Sequence, residues 1–222
     1  MQERAQVEVW LIDVDRHGAQ FARHATGKLS PAEQRRLGGF RDPLDARVFA
    51  ASRGGLRQLA RRWNGAADTA LQRTKAGKPF VPGLPDFSLS HTRSHVAIAV
   101  NHGGIVGVDI EGERPVPEHD LIARVARVLG EGRAARSRTI EAWTVIEAWT
   151  KCHGLTLAEA LDSPTRAREI EASIQTGADG LHLAVLKLPA GLFGACWYGG
   201  AATIVSVNGL EPESYLYPNA SA

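Results

Sequence analysis

The sequence predicts an α/β fold of the α+β type, built from two similar halves that each combine strands with a long helix. Residues 7–14 form a strand pattern that precedes a long helical pattern at 44–63. Residues 105–110 form a second strand pattern, followed by a helical region at 119–152 and further strands. The 222 residues can bury a sizeable core. Because residues 101–104 connect the halves, we expect an N-terminal subdomain at 1–104 and a C-terminal subdomain at 105–222.

The first half begins with a strand and two helices. Val7 to Val14 alternates and is rich in β-branched residues, which is typical of a strand. Residues 30–33 offer a serine N-cap, a proline at the first helical position and a glutamate at the third, so a helix begins there. Phe40 to Pro43 breaks that helix, and Leu44 to Trp63 carries a longer one. For most of its arginines a solvated helix face is the default interpretation: Arg47, Arg53, Arg57, Arg61 and Arg62.

A loop and a strand end in the first half offer groups that suit an anionic ligand. Lys78 could serve as a point charge for a phosphate, although a plain surface turn is the simpler interpretation. The strand pattern at 87–92 ends in Ser90, His91 and Thr92, whose hydroxyl and imidazole groups suit phosphate oxygens. A serine–histidine pair could also belong to a hydrolase. The sequence has no Gly-x-Ser-x-Gly and no obvious acid to orient the histidine, which disfavours that alternative.

The second half opens on a pair of carboxylates in the strand Ile105 to Ile110. Residues i and i+2 of a strand share a face, so Asp109 and Glu111 point the same way. Two neighbouring carboxylates repel each other, and a hard cation such as Mg2+ relieves the repulsion. The alternative is a strand end that simply emerges into water.

A helix that ends at a Gly154 C-cap carries the third candidate carboxylate. Trp143, Glu147 and Lys151 are spaced by four and therefore lie on one helix face. One interpretation is a surface glutamate–lysine pair beside a core tryptophan. The other is a third carboxylate for the metal, with an ammonium group one turn away.

Strands close the chain. Leu181 to Leu188 and Phe193 to Tyr198 are predicted to pair antiparallel around a turn at Pro189 to Gly191, and Ala202 to Val207 is predicted as the last strand. The tail from Pro212 to Ala222 is expected to be disordered or to lie on the surface.

Composition limits the class of protein. The formal net charge of +2 and the lack of interleaved basic and aromatic residues argue against a nucleic-acid binder. No apolar stretch reaches the length of a signal peptide core or a membrane span. The two cysteines form no Cys-x-x-Cys, so neither a zinc site nor a disulfide framework is indicated. We expect a cytoplasmic monomer that binds neither membranes nor nucleic acid.

Two motifs together resemble the 4′-phosphopantetheinyl transferases of the surfactin-synthetase-activating type. That family carries G-[IV]-D-[IV]-E, matched by Gly107 to Glu111, and W-[ST]-x-K-E-[AS]-x-x-K, matched by Trp143 to Lys151 except at Ile146. Residues 87–92 (FSLSHT) resemble its F-[NS]-[ILV]-S-H-[ST], and residues 47–57 resemble its R-x-F-L-x-x-R-x-L-L-R helix. The family's F-x-x-x-E has no match, and Glu131 is the nearest candidate for its glutamate.

The resemblance implies a pseudo-two-fold fold in which each half packs a small, mostly antiparallel sheet on a long helix. It implies Mg2+-dependent transfer of 4′-phosphopantetheine from coenzyme A to a serine of an acidic acyl or peptidyl carrier protein, with release of 3′,5′-ADP. The implied metal ligands are Asp109, Glu111 and Glu147, and the implied catalytic residues are Glu147, Lys151 and Asp109. Coenzyme A would be bound by Arg47, Arg53, Lys78, Ser90, His91 and Thr92. Arginines within 121–138 would dock the carrier, unless they only form a solvated helix face.

Two alternatives to an active transferase stay open. A catalytically degenerate homologue that only binds coenzyme A or a carrier protein would fit the departure at Ile146 and the missing F-x-x-x-E. A metal-dependent nucleotide hydrolase is disfavoured because no P-loop is present. If Ile146 faces the coenzyme, Ile146→Lys should preserve or improve turnover, whereas a collapse of activity would place the isoleucine in the core.

Overall fold

The computed structural model describes residues 6–25, 27–64, 71–75, 77–113, 119–129, 139–177, 179–200 and 204–212. The helices are α1 (Val14–Ala25), α2 (Pro31–Gly38), α3 (Pro43–Asn64), α4 (His119–Leu129), α5 (Thr139–His153), α6 (Leu157–Leu161) and α7 (Pro164–Thr176). The strands are β1 (Gln6–Asp13), β2 (Gln72–Arg73), β3 (Pro79–Phe80), β4 (Asp86–His91), β5 (His95–Asn101), β6 (Val106–Gly112), β7 (Leu181–Val185), β8 (Leu192–Gly199) and β9 (Ile204–Gly209).

Two main sheets form the centre of the molecule, and the α+β class predicted from the sequence is confirmed. The first sheet has the strand order β4-β5-β1-β9 and the second has the order β6-β8-β7. Their pairings are antiparallel except for the parallel pair of β1 and β9. The short strands β2 and β3 make a separate ribbon.

Helices cover the outer face of each sheet, while the inner faces pack on each other. Helices α1 and α3 bury residues such as Phe21 and Leu59 against the first sheet, and the helices of the second half bury Trp149 against the second. Between the sheets, Ala99 of β5 belongs to the same buried cluster as Val108 of β6. The order of layers is therefore helices, first sheet, second sheet, helices.

Local sequence signals define the helix ends as predicted. The Ser30 hydroxyl accepts a hydrogen bond from Glu33 N, and the Glu33 carboxylate accepts one from Ser30 N, which makes a capping box at the start of α2. Helix α5 ends immediately before Gly154, whose φ of 66° is in the left-handed region that favours glycine.

The last strand, β9, pairs with a strand of the first half and not with the second-half strands that precede it in the sequence. Strand β9 follows the second-half strands in the chain, and the sequence places it with residues 105–222. In the structure β9 lies parallel to β1, with Val7 opposite Val205. One edge of the first sheet is therefore formed by residues 204–209, which follow the strands of the second sheet in the chain.

Two further features concern the cysteines and the hydrophobicity of the helices. Cys152 and Cys196 are both buried free thiols. None of the helices in these ranges is both long and apolar enough to cross a membrane. The predicted tail lies almost wholly outside the described residues.

Candidate active site

Two carboxylates and one ammonium group meet where α5 crosses β6. Lys151 Nζ lies 2.6 Å from Asp109 Oδ1 and 3.7 Å from Glu147 Oε2. Asp109 is almost fully buried, whereas about a third of the Lys151 side chain is exposed. The strand thus supplies a buried carboxylate, Asp109. The helix supplies a carboxylate and an ammonium group, Glu147 and Lys151, that solvent can reach.

A glycine on β6 allows this close approach. A Cβ atom built on Gly107 would lie 2.1 Å from Ala148 O and 2.4 Å from Cys152 N, both in the backbone of α5. Any side chain at this position would push the helix away from the strand. The glycine of the Gly107 to Glu111 motif therefore fixes the distance between Asp109 and the acidic and basic groups of α5.

Replacing Gly107 by alanine is expected to destabilise the protein by about 1–3 kcal/mol, because the backbone of α5 must shift to admit a methyl group. Gly112→Ala is the matched control, since Gly112 is in the same strand and a Cβ there meets no atom within 4 Å. Urea unfolding of both variants measures the difference. Equal stability of the two variants would show that the α5–β6 distance does not depend on this glycine.

The surroundings of Glu147 disfavour the charged form of its carboxyl group. Burial, followed by the charge of Asp109, raises the pKa of Glu147 to about 7, with a further contribution from Glu111 that the Lys151 ammonium opposes. A carboxyl group with a pKa near neutrality is suited to accept a proton at physiological pH.

This pKa predicts how stability depends on pH in metal-free protein. The pKa of Glu147 rises from 4.5 to about 7 on folding, so between these values the folded state binds more protons than the unfolded state. Stability should therefore fall as pH rises through this window, by up to about 3 kcal/mol. Glu147→Gln should remove this loss. Urea unfolding at a series of pH values in EDTA compares the two proteins, and identical pH profiles would contradict the assignment.

The carboxylates fit a hard divalent cation in their chemistry. Asp109 Oδ2 is buried and has no hydrogen-bond partner among the described residues. Glu147 is destabilised in its charged form by Asp109 and Glu111, which a cation would relieve. Within the described ranges no three acidic, histidine or cysteine side chains are already grouped as a metal site, and the Lys151 ammonium lies against Asp109 instead.

The serine and histidine at the end of β4 lie beside these groups. The Ser90 hydroxyl donates to Asp109 Oδ1 at 2.7 Å. Partial burial, followed by the charges of Lys151 and Arg36, lowers the pKa of His91, so its imidazole is neutral at neutral pH. The Thr92 hydroxyl accepts hydrogen bonds from the backbone of Ser94 and His95 and closes a turn.

Two of the α3 arginines, Arg47 and Arg53, occupy very different environments. Arg53 is buried and its Nε lies 3.0 Å from Glu33 Oε1, while Arg57 pairs with the other oxygen of Glu33 at 2.8 Å. Burial, together with other arginines nearby, lowers the pKa of Arg53 to about 10, and Glu33 opposes the shift. Arg47 is exposed and its side chain packs near Gly18 of α1. Of the two, Arg47 is the one that solvent reaches.

Lys78 lies in a buried link between the two halves. Its ammonium group donates to Asp86 Oδ2 at 2.5 Å and to the carbonyl oxygen of Val106 at 3.0 Å. Only 11% of the side chain is exposed. In this arrangement the charge of Lys78 is already compensated by Asp86.

Sequence reasoning missed Arg36 as a candidate phosphate ligand. It is exposed in the last turn of α2, its guanidinium lies 5.4 Å from the centre of the Phe49 ring, and its charge acts on both His91 and Arg53. No ion pair involves it within the described part of the chain. The basic last turn of a helix with a strong N-cap was the signal available in the sequence.

A groove continues from the acidic residues along the second sheet. It has a volume of about 450 Å3 and is lined mainly by apolar side chains, including Val145 of α5 and Val185 of β7. Phe193, in the same lining, is the cross-strand partner of Glu111 on β6. Because such partners lie side by side on one face, the groove adjoins the acidic residues.

Several predicted site residues lie outside the described residues. Glu131 is one of them, and so are most of the arginines in 121–138. Arg127 is described and is exposed on α4.

The chain is similar to a curated enzyme. It is 28% identical over 185 residues to the 4′-phosphopantetheinyl transferase HetI from Nostoc sp., a match that covers 76% of this chain and 74% of HetI. This similarity supports the 4′-phosphopantetheinyl transferase family and that enzyme class. It does not distinguish the surfactin-synthetase-activating type within the family. No family model matches the chain.

Proposed function

We propose that this protein transfers the 4′-phosphopantetheine group from coenzyme A to a serine hydroxyl of an acyl or peptidyl carrier protein. The observation that carries the proposal is the convergence of Asp109, Glu147 and Lys151 at one point. The similarity to a phosphopantetheinyl transferase supports the same reaction class.

The surface beside this point has groups that suit the phosphates of coenzyme A. Lys151 and Arg36 both lie near enough to His91 for their charges to lower its pKa, so two cationic side chains flank the neutral imidazole. Arg47 is exposed on α3, and Arg53 adds positive potential from its buried position against Glu33. The ribose and diphosphate end of coenzyme A would lie on this side, with Lys78, Ser90 and Thr92 supporting the surface from behind.

The apolar groove beside Glu111 suits the other end of the substrate. In the pantetheine arm, a methylene group separates the ester oxygen on the reacting phosphorus from a dimethyl-substituted carbon, so an apolar surface close to the acidic residues suits the arm. The groove provides it, with Phe193 nearest to Glu111 and Val185 at the far side. The Glu141 carboxylate in the same lining can accept a hydrogen bond from an amide of the arm.

The reaction is a displacement at phosphorus. The carrier serine oxygen forms a bond to the phosphorus that bears the pantetheine, and the bond from that phosphorus to the oxygen of 3′,5′-ADP breaks. Glu147 accepts the serine proton as general base. The Lys151 ammonium stabilises the negative charge on the departing phosphate oxygen or gives it a proton.

The acidic residues would hold the divalent cation. Asp109, Glu111 and Glu147 are the proposed ligands of Mg2+, which when bound would neutralise charge on the diphosphate. The unpartnered Asp109 Oδ2 and the raised pKa of Glu147 support this assignment.

The proposal is tested by intact-mass spectrometry of apo carrier proteins incubated with this protein and coenzyme A. We expect a gain equal to one phosphopantetheine group in the presence of Mg2+ and no gain in EDTA. Carriers from fatty acid, polyketide and peptide synthesis should be compared in the same assay. Coenzyme A binding by calorimetry without transfer to any carrier would contradict the proposal and favour a binding homologue.

A further inference from the structure

The two sheets are joined by a ladder of side chains on β4. Strand β6 is an edge strand, so alternate backbone N–H groups point away from its partner β8 and need acceptors. Side chains at alternate positions of β4 provide them. The pairs are Val106 N to Asp86 Oδ2 at 2.7 Å, Val108 N to Ser88 Oγ at 3.1 Å and Ile110 N to Ser90 Oγ at 3.2 Å.

Ser90 differs from the other members of the ladder because it also touches the candidate active site. Its hydroxyl donates to Asp109 Oδ1 at 2.7 Å and accepts from Lys151 Nζ at 3.2 Å as well as from Ile110 N. A hydroxyl has one donor and two acceptor positions. All three are used, and Ser90 is buried, so no position is left for a phosphate oxygen.

The contacts of Ser90 determine which oxygen of Asp109 is available. Oδ1 is held by Ser90 and Lys151. Oδ2 is buried and has no hydrogen-bond partner in the described ranges. An acidic side chain locked in this way presents one oxygen to a ligand in a fixed direction.

We propose that Ser90 is a positioning residue that orients Asp109 for a divalent cation, and that it does not itself bind the coenzyme. This rests on the metal site of the proposed function and gives Ser90 a role different from the one that the resemblance implies. The ladder of hydrogen bonds holds β4 against β6. Because Ser90 belongs to this ladder and also contacts Asp109, the packing of the two strands fixes the orientation of the Asp109 side chain.

The ladder contains its own matched control. Ser88 and Ser90 are both buried serines of β4, and each accepts one backbone hydrogen bond from β6. Only Ser90 also contacts Asp109 and Lys151. Ser88→Ala and Ser90→Ala therefore remove the same kind of support from the sheet junction and differ in the contact with the acid.

The test is a titration of each protein with Mn2+ alone, followed by the electron paramagnetic resonance signal of free Mn2+. We expect Ser90→Ala to bind Mn2+ about 10–100-fold more weakly than the wild type, the usual effect of losing a partner that orients a metal-binding carboxylate. Ser88→Ala should keep the wild-type affinity, and Ser90→Thr, which retains the hydroxyl, should restore it. Ser90→Cys, whose thiol is a weaker donor of similar size, should bind Mn2+ with intermediate affinity. Thermal unfolding confirms that each variant is folded.

Three results would overturn the proposal: unchanged Mn2+ affinity in Ser90→Ala, equal weakening in the Ser88 and Ser90 variants, or no Mn2+ binding by the wild type. The titration involves neither coenzyme A nor a carrier, so it decides the role of Ser90 even if no transfer is found. In the transfer assay, Ser90→Ala should raise the Mg2+ concentration needed for half-maximal rate more than the KM for coenzyme A. The opposite split would identify Ser90 as a coenzyme ligand and contradict the proposal.

Discussion

Glu147→Gln is expected to lower kcat for phosphopantetheine transfer by about 10²–10⁴-fold, the range found when a general base is removed. Glutamine preserves the size of the side chain but can neither accept the serine proton nor bind a cation with a negative oxygen. In the metal-free protein, burial and the neighbouring Asp109 place the pKa of Glu147 near 7. Initial rates of carrier modification, measured by intact mass at saturating coenzyme A, give the effect.

The control for this prediction is Glu171→Gln, a change of the same kind at an exposed position of α7. It should transfer at the wild-type rate. If Glu147→Gln matched that control, Glu147 would be neither a base nor a metal ligand, and the site would have to be reassigned.

Ile146→Lys is expected to destabilise the protein by about 3–5 kcal/mol, the cost of an unpaired buried charge. Ile146 is fully buried in α5 and belongs to the same core cluster as Trp149 and Val125. The resemblance suggests that lysine would be tolerated or favourable here, but the structure places the isoleucine in the core. For a protein of this size the loss corresponds to a fall in Tm of about 6–20 °C.

Thermal unfolding measures this effect, with Ile146→Val as the control that keeps an apolar side chain and costs only about 0.5–1.5 kcal/mol. An Ile146→Lys protein with the Tm of the wild type and a lower KM for coenzyme A would show that this position faces the substrate.

Local signals in the sequence predicted much of the secondary structure. The capping box at Ser30 and the left-handed Gly154 depend only on nearby residues, so their effect can be read without the fold. The strand spacing of Asp109 and Glu111 and the helical spacing of Glu147 and Lys151 are local in the same way. Each spacing predicts a shared face, and the structure brings Asp109, Glu147 and Lys151 together.

These local signals do not predict contacts between segments that are distant in the sequence. Nothing near Ser90 reveals that its hydroxyl is used by Asp109, because that contact depends on how the two sheets pack. The same reasoning applies to Lys78, whose partner Asp86 is available only once the loop has folded back on β4. The parallel pairing of β9 with β1 joins opposite ends of the chain and has no local signature.

The most direct test of the proposed active site is the rate of carrier modification by Asp109→Asn, measured beside the wild type and the exposed control Asp162→Asn. Asparagine keeps the size of the buried side chain but removes the charge that Lys151 and the proposed cation require. We expect the carrier to gain phosphopantetheine with the wild type and with Asp162→Asn, and we expect the gain to be lost with a folded Asp109→Asn protein. Transfer by Asp109→Asn at the wild-type rate would contradict the central claim that this acid, held between β4, β6 and α5, carries the reaction.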